Sequence, residues 1–235
     1  MVKEIFRGAL DELCPGVERL AREAMDAGWR VDPSQAYCCR CGASAGPGAA
    51  TVSGCPFCAN QRVPWQRLTR LGLYAPPLDE WVRAMKFHRQ WRWAPWLGGQ
   101  LARAIGPVEA ERVIVCPVPM HWLRRWRRGY DQATLLAREV GRRRNWPVAS
   151  LLRRKRLTLP QVSLPPSKRA ANVRGSFAIV PVDLTGCHVV LVDDVKTTGA
   201  TLGACARLLR KAGVEAVHAA VVAVADPQGR RFAFK

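Results

Sequence analysis

The sequence predicts an α/β protein: a doubly wound parallel sheet, preceded by a small four-cysteine zinc ribbon and a leading helix. Two stretches carry this expectation. The first is Cys187 to Leu202, CHVVLVDDVKTTGATL. It opens with an apolar run, His188 and Val189-Val190-Leu191-Val192, too short for a buried helix and continuous enough for a central parallel strand. It passes through two acids and Thr-Thr-Gly into a helical pattern of Leu202, Ala206, Leu208 and Leu209, stopped by Gly213. The second is a pair of Cys-x-x-Cys knuckles upstream, in a segment with few large apolar residues.

In chain order, residues 1–30 read as helical. Val17, Leu20, Ala21, Ala24 and Met25 recur at helical spacing and Gly28 ends the run. Residues 36–66 form a separate unit: Cys38 and Cys41, thirteen residues rich in Gly, Ala and Ser, then Cys55 and Cys58. This spacing suits a tetrahedral zinc site with four thiolate ligands, and so small an apolar content hardly folds without a metal. Two disulfides are the alternative, disfavoured in a reducing compartment. Cys39 offers a competing pairing with Cys41. With all four positions filled and none left for water, the ribbon's role is structural or adaptor-like. Cys14, Cys116, Cys187 and Cys205 sit in apolar or helical contexts and read as inert buried thiols.

Pro64 to Pro77 reads as a linker. Helical spacing resumes at Leu78 through Trp81, Val82 and Met85, and again around Leu97–Ile105. Between them Trp91, Trp93 and Trp96 interleave with Arg89 and Arg92. Such aromatics are core residues in the first instance, although the alternation also suits base stacking. Arg112–Val118 reads as the first strand of the main sheet, with Pro117 and Pro119 at its C-terminal end, where ligands bind in such sheets. Arg124, Arg125, Arg127 and Arg128 follow, with Trp122 and Trp126 among them. Guanidinium forks match phosphate oxygens. Gly129 precedes a helix whose Leu135, Leu136 and Val140 face the sheet. A second strand near Val148–Leu152 leads into a long basic, Pro-containing segment of the kind that serves as a lid or binding loop. Phe177–Val180 and Val217–Val224 complete the strands. Three domains follow: a helical segment over 1–35, the ribbon over 36–66 and the main α/β domain over 67–235.

The net charge is +19, and it is concentrated. From Arg124 to Arg174 there are 15 Lys and Arg against Asp131 and Glu139, a net +13. Like charges at that density repel, so a polyanion partner is the natural functional reading. An Arg-rich solvated face is the plain alternative. No run of eighteen apolar residues exists and the N-terminus is too charged for a signal peptide, so the expectation is a cytoplasmic protein without direct membrane insertion.

The Cys187–Leu202 stretch has a physical use. Free backbone N–H groups at a helix start, beside a glycine without a side chain, form a cup for phosphate. The hydroxyls of Thr197, Thr198 and Thr201 add donors around Gly199 and Ala200, and Lys196 can add a phosphate contact. Asp193 and Asp194 can accept hydrogen bonds from sugar hydroxyls. Neither a Walker loop nor a Gly-x-Gly-x-x-Gly fingerprint is present. An ordinary strand–turn–helix with two exposed aspartates is the competing reading.

These residues resemble the phosphoribosyl-pyrophosphate (PRPP) motif of type I phosphoribosyltransferases. The wider order narrows the resemblance. It runs through the four-cysteine unit, Met85-Lys86-Phe87, Pro-Val-Pro followed by basic residues, and Arg-Gly-Tyr-Asp-Gln. It continues with Gln161 and Leu164, then Arg169 to Phe177, then Val-Asp-Asp-Val-x-Thr-Thr-Gly-Ala-Thr. From about residue 38 onward the chain is similar to the competence protein ComF family. Two departures stand out: Tyr130-Asp131 where Phe-Asn is common, and Lys196 inside the PRPP loop. The first 35 residues carry none of the motifs of this resemblance.

The resemblance implies a phosphoribosyltransferase-like fold and Mg2+-PRPP bound at Asp193, Asp194 and Lys196 to Thr201. It implies a role in natural competence, with single-stranded DNA as partner beside a DNA-uptake helicase or translocase at the inner face of the membrane. Lys86, Trp122, Trp126 and the four arginines become candidates for pyrophosphate or DNA. A homodimer is compatible with this reading. The alternative is a working phosphoribosyltransferase that transfers ribose 5-phosphate to a nucleobase-like acceptor. A pyrophosphate needs two or three cations, and the larger excess here favours DNA.

Overall fold

The computed structural model describes residues 15–26, 28–44, 54–155 and 175–225. The expectations for Cys14, Gln161, Leu164 and most of the basic segment up to Arg174 fall outside them.

Four strands make the main sheet: β1 (Arg67–Leu73), β2 (Arg112–Pro117), β5 (Cys187–Lys196) and β6 (Ala216–Val224). Their order is β1-β6-β5-β2 and every pair is parallel. Val148 adds one parallel bridge to Val115 beyond β2. Two three-residue strands, β3 (Leu152–Arg154) and β4 (Phe177–Ile179), form a separate antiparallel flap. The helices are α1 (Pro15–Asp26), α2 (Leu78–Phe87), α3 (Trp93–Ala104), α4 (Trp122–Arg128), α5 (Gln132–Arg144) and α6 (Ala200–Lys211). None of them is long and apolar enough to cross a membrane.

Burial on both sides of the sheet explains why β5 is apolar without alternation. Val190 and Val192 enter one core, filled by Val82 and Met85 of α2, Leu97 and Leu101 of α3, and Leu136 and Val140 of α5. Val189 and Leu191 enter the other, with Leu202, Cys205, Ala206 and Leu209 of α6 and Leu152 and Phe177 of the flap. Helices on both faces of a parallel sheet are the doubly wound arrangement. Of the interleaved tryptophans, Trp93 and Trp96 belong to the first core, as their spacing suggested, while Trp91 stays at the surface. Trp81 and Trp93 stack at 4.8 Å between ring centroids, and Trp29 and Trp96 close the cluster edge-on around Trp81.

Three readings of the sequence need correction. The Pro64–Pro77 segment is not a linker, because it contains β1, which pairs with β6 over its whole length. Arg112–Pro117 is therefore the second strand of the sheet, not its first. The segment after Val148 gives one bridge and then a strand of the flap, with no full strand of the main sheet. Cys116, Cys187 and Cys205 are fully buried free thiols, as expected.

The outer edge of β1 is covered by residues 32–44. Leu68 N donates to Cys39 O at 2.6 Å, Arg70 N to Tyr37 Oη at 3.3 Å, and Asp32 N to Leu71 O at 2.8 Å. An unpaired edge is a template for aggregation, so this cover has a stabilising use beyond its own packing. It is pinned by Arg70, only 1% exposed, whose guanidinium donates to Gly42 O, Ser44 Oγ and Asp32 Oδ2.

Candidate functional site

The strand β5 continues through both acids and ends at Lys196, so Asp193 and Asp194 are strand residues and not part of the following loop. Consecutive strand positions face opposite sides. The two carboxylates therefore separate. Asp194 follows Val190 and Val192 toward α2 and α5, where it is 4% exposed. Lys86 Nζ of α2 stands 2.8 Å from its Oδ1, and Gln132 Nε2 of α5 donates to its Oδ2 at 2.6 Å. Asp193 lies on the α6 side. It lines a small pocket with Val195, Lys196, Thr197, Gly199, Ala200, Thr201 and Leu202. Burial, with the Asp194 carboxylate next to it, raises the Asp193 carboxyl to about 8, against the pull of Lys86. A carboxyl raised in this way holds its proton to higher pH than a free one, and a cation or hydrogen-bond donor in the pocket would lower it again.

The turn into α6 depends on Gly199, which has φ +78° and ends the loop immediately before the first helical residue, Ala200. A Cβ there would meet Lys196 Cε at 3.2 Å and the Trp65 ring at 3.3 Å. Thr198 Oγ1 accepts from Ala200 N at 3.4 Å, and Gly203 N donates to Gly199 O at 2.7 Å. Burial holds the Lys196 amine below its ordinary value. The strand end, Thr197, Thr201, Gly199 and the α6 N-terminus thus come together around one pocket.

The basic stretch after β2 is helical, which its pattern did not announce. His121 caps α4 by accepting from Leu123 N at Nδ1, 3.2 Å away. Gly129 ends α4 at φ +86°, with its N–H on Arg125 O at 2.7 Å. No residue of α4 is buried. Trp122 and Trp126 are 68% and 77% exposed, one turn apart, with Arg125 and Arg127 also exposed between and beside them. Partial burial and the nearby Arg128 hold the Arg124 guanidinium below its ordinary value.

The Arg-Gly-Tyr-Asp-Gln sequence now has a role at each position. Arg128 Nη1 donates to Gln132 Oε1 at 2.5 Å, and Gly129 turns the chain. Tyr130 donates its hydroxyl to Met85 O, tying the turn to α2. Asp131 caps α5 by accepting from Thr134 N at 3.2 Å, and its other oxygen accepts from Met120 N at 3.3 Å. Burial raises the Asp131 carboxyl, which those amides partly offset. Gln132 joins Arg128 to Asp194. Gln132 and Tyr130 belong to the site but were seen in the sequence only as members of a motif. Phe87, 65% exposed, with the Arg128 guanidinium 6.0 Å from its ring centroid, had no sequence signal beyond its place after Lys86.

Not all the basic residues of residues 124–174 are open to a ligand. Arg142 and Arg143 are held by Glu139 at 2.6 and 2.7 Å. Arg144 donates to Ile105 O and Gly106 O and stacks on Trp146 at 4.4 Å.

Cys38, Cys41, Cys55 and Cys58 are all buried, and their sulfurs lie within 4.8 Å of one another, a group that could hold a metal ion. Cys39 is only partly buried and its carbonyl is committed to β1. Burial works to raise the Cys38 thiol, but the amides of Cys41 and Arg40 and the neighbouring thiols outweigh it and bring it down to about 7. Burial drives the Cys41 thiol up. A set of thiols with one acidic member is primed to lose protons to a cation.

A phosphoribosyl transferase domain model matches residues 129–233. Competence protein F of Haemophilus influenzae is 31% identical over 218 residues, covering 87% of this chain and 92% of that protein. DNA utilization protein YhgH of Escherichia coli is 34% identical over 192 residues, 77% of this chain and 81% of that one. A 41-residue stretch is 54% identical to adenine phosphoribosyltransferase of Mycobacterium avium, 17% of this chain and 23% of that enzyme. Identity above 30% over most of both chains places this protein in the family of competence protein F and DNA utilization protein YhgH.

Proposed function

We propose that the chain binds Mg2+-PRPP at the end of β5 and single-stranded DNA on α4, and acts on incoming strands during natural competence. The names of its relatives support the setting, and the phosphoribosyl transferase match supports the ligand. The observation that carries the joint reading is the hydrogen-bonded line Arg128–Gln132–Asp194. It links the last residue of the exposed Arg–Trp helix to the acid of β5. In this reading Asp193, Lys196 and Thr197 to Thr201 hold the ribose phosphate, with Asp194 and Lys86 setting the position of the strand end. The arginines of α4 take strand phosphates and Trp122 and Trp126 take bases. The four-cysteine group holds a structural zinc, and of the segments 1–35, 36–66 and 67–235 the first two bond to β1 of the third. A DNA-uptake helicase or translocase at the inner face of the membrane is the protein partner of a cytoplasmic chain.

Calorimetry tests it, with Mg2+-PRPP and a single-stranded oligonucleotide titrated singly and together. Thr198→Ala should weaken PRPP and leave metal content unchanged. Absence of PRPP binding at millimolar ligand overturns the PRPP half, and absence of oligonucleotide binding at low salt overturns the DNA half. The second reading, an active transferase, is favoured by the similarity to adenine phosphoribosyltransferase. It requires pyrophosphate release from PRPP when a nucleobase is added.

A further inference from the structure

A cavity of about 460 Å3 opens at the end of the sheet opposite the acids, where β1 and β6 begin. Gln66 N donates to Val217 O there, joining the two strand starts. One wall is apolar: Val63, Pro64, Trp65 and Val217. The Trp65 indole is fixed, because its Nε1 donates to Arg40 O at 2.7 Å. The opposite wall is cationic, formed by Arg207, Arg210 and Lys211 from the second half of α6. All three are exposed, and none forms an ion pair among the described residues. No carboxylate lines the space.

Basic residues near a helix C-terminus are ordinary, since they complement the dipole. That accounts for Arg210 and Lys211, but Arg207 stands a turn earlier, and a dipole does not hollow out a cavity. The volume is that of a small-molecule site. One wall suits a flat apolar body, and the facing cations suit a phosphate, which guanidinium groups bind with two parallel hydrogen bonds. A nucleotide combines both.

We propose that this cavity binds a nucleotide, its phosphate on Arg207 and Lys211 and its base against the half-buried Val63 and Pro64, with the buried Trp65 behind them. The nucleotide is either free or one unit of a single strand. The site is separate from the pocket at Asp193. Its cations come from the second half of α6 and the threonines of the other pocket from before and at the helix start, with the Trp65 ring against Gly199 between them. It stands whether or not PRPP binds in the other pocket.

The test is calorimetry of the full chain with dAMP, inorganic phosphate and a short oligo-dA, using three variants. Arg207→Glu/Lys211→Glu reverses two cations that make no hydrogen bond to other described residues. Gln66→Trp fills the cavity from an exposed position without changing charge. Thr198→Ala alters the loop at the start of α6, where its hydroxyl accepts from Ala200 N, and leaves Arg207 and Lys211 in place. The site requires dAMP affinity to fall roughly tenfold or more in the first two variants, through lost phosphate contacts and lost space, and to stay in the third. If dAMP is silent but Gln66→Trp weakens oligo-dA, the strand is the source of the nucleotide. The proposal is overturned if dAMP binding disappears in Thr198→Ala. It is also overturned if inorganic phosphate binds as tightly as dAMP. The same holds if neither dAMP nor oligo-dA responds to Gln66→Trp or to Arg207→Glu/Lys211→Glu. Unchanged circular dichroism and metal content in each variant exclude unfolding as the cause.

Discussion

Asp194 is a buried carboxylate with two partners, and its neighbour Asp193 forms no ion pair among the described residues. The difference follows from strand alternation, which sends one acid to Lys86 and Gln132 and the other into the pocket beside Thr197. Removing one member of a buried pair leaves the other charge uncompensated, which costs about 3–5 kcal/mol. Lys86→Met should therefore lower unfolding free energy by roughly that amount. Lys86→Met/Asp194→Leu should recover most of it, read by urea denaturation, because both charges then leave together. A double variant no more stable than Lys86→Met means the pair is not coupled. Asp193 gives a pH prediction. Its carboxyl is raised from the ordinary value of 3.8 to about 8. The folded state then holds a proton that the unfolded state has released, so this group's stabilising contribution is complete below the unfolded value. It is lost as pH rises through about 8. Thermal stability of the ligand-free protein should fall from pH 5 to pH 8.5, and Asp193→Asn should flatten that fall. A profile of equal slope in wild type and variant assigns the proton elsewhere.

The four-cysteine segment and β1 form one mechanical unit. Leu68, Arg70 and Trp65 bond to Cys39, Gly42, Ser44 and Arg40, so the four-cysteine segment doubles as the cover of a sheet edge. If the four thiols hold zinc, strong chelation should do more than unfold a small module. It should expose β1 and lower the Tm of the main transition, with concentration-dependent aggregation that metal restores. An unchanged main transition after complete metal removal means the cover holds without the ion. The sequence made the four-cysteine unit readable because ligand spacing is a local property. It also made β5 and α6 readable, since an apolar run, a glycine and a helical period lie consecutively in the chain. It hid β1. RLTRLGL carries Arg70 at its centre, and a buried arginine is tolerable only through partners 26 to 38 residues away. Prolines on both sides then suggested a linker. Helix α4 was hidden for the opposite reason: it buries nothing, so it has no apolar period to detect. The flap strands, three residues each, are too short for any pattern.

Across the whole molecule, charge and shape divide the surface by function. The basic excess from Arg124 to Arg174 is partly consumed inside the fold, by Glu139 on Arg142 and Arg143 and by carbonyls on Arg144. On α4 Arg125 and Arg127 stay outside, in register with two exposed tryptophans, while Arg124 and Arg128 are half-buried. A single strand laid along such a helix meets cations with its phosphates and indoles with its bases, and these two contributions respond differently to salt. Each phosphate contact releases counterions and adds about −0.7 to the log–log slope of affinity against salt for a single strand. Replacing Arg124, Arg125, Arg127 and Arg128 with Gln should flatten the slope by up to roughly 3 and weaken all sequences alike. Arg142→Gln/Arg143→Gln should move it much less, because those guanidinium groups already share Glu139. Trp122→Ala or Trp126→Ala should remove about 1–3 kcal/mol at every salt concentration and leave the slope alone. Fluorescence anisotropy with a labelled oligonucleotide over a salt series separates the cases. If the α5 variant flattens the slope as much as the α4 variant, the strand does not follow α4. A slope change in the tryptophan variants would mean that their loss also displaces phosphates from the arginines around them.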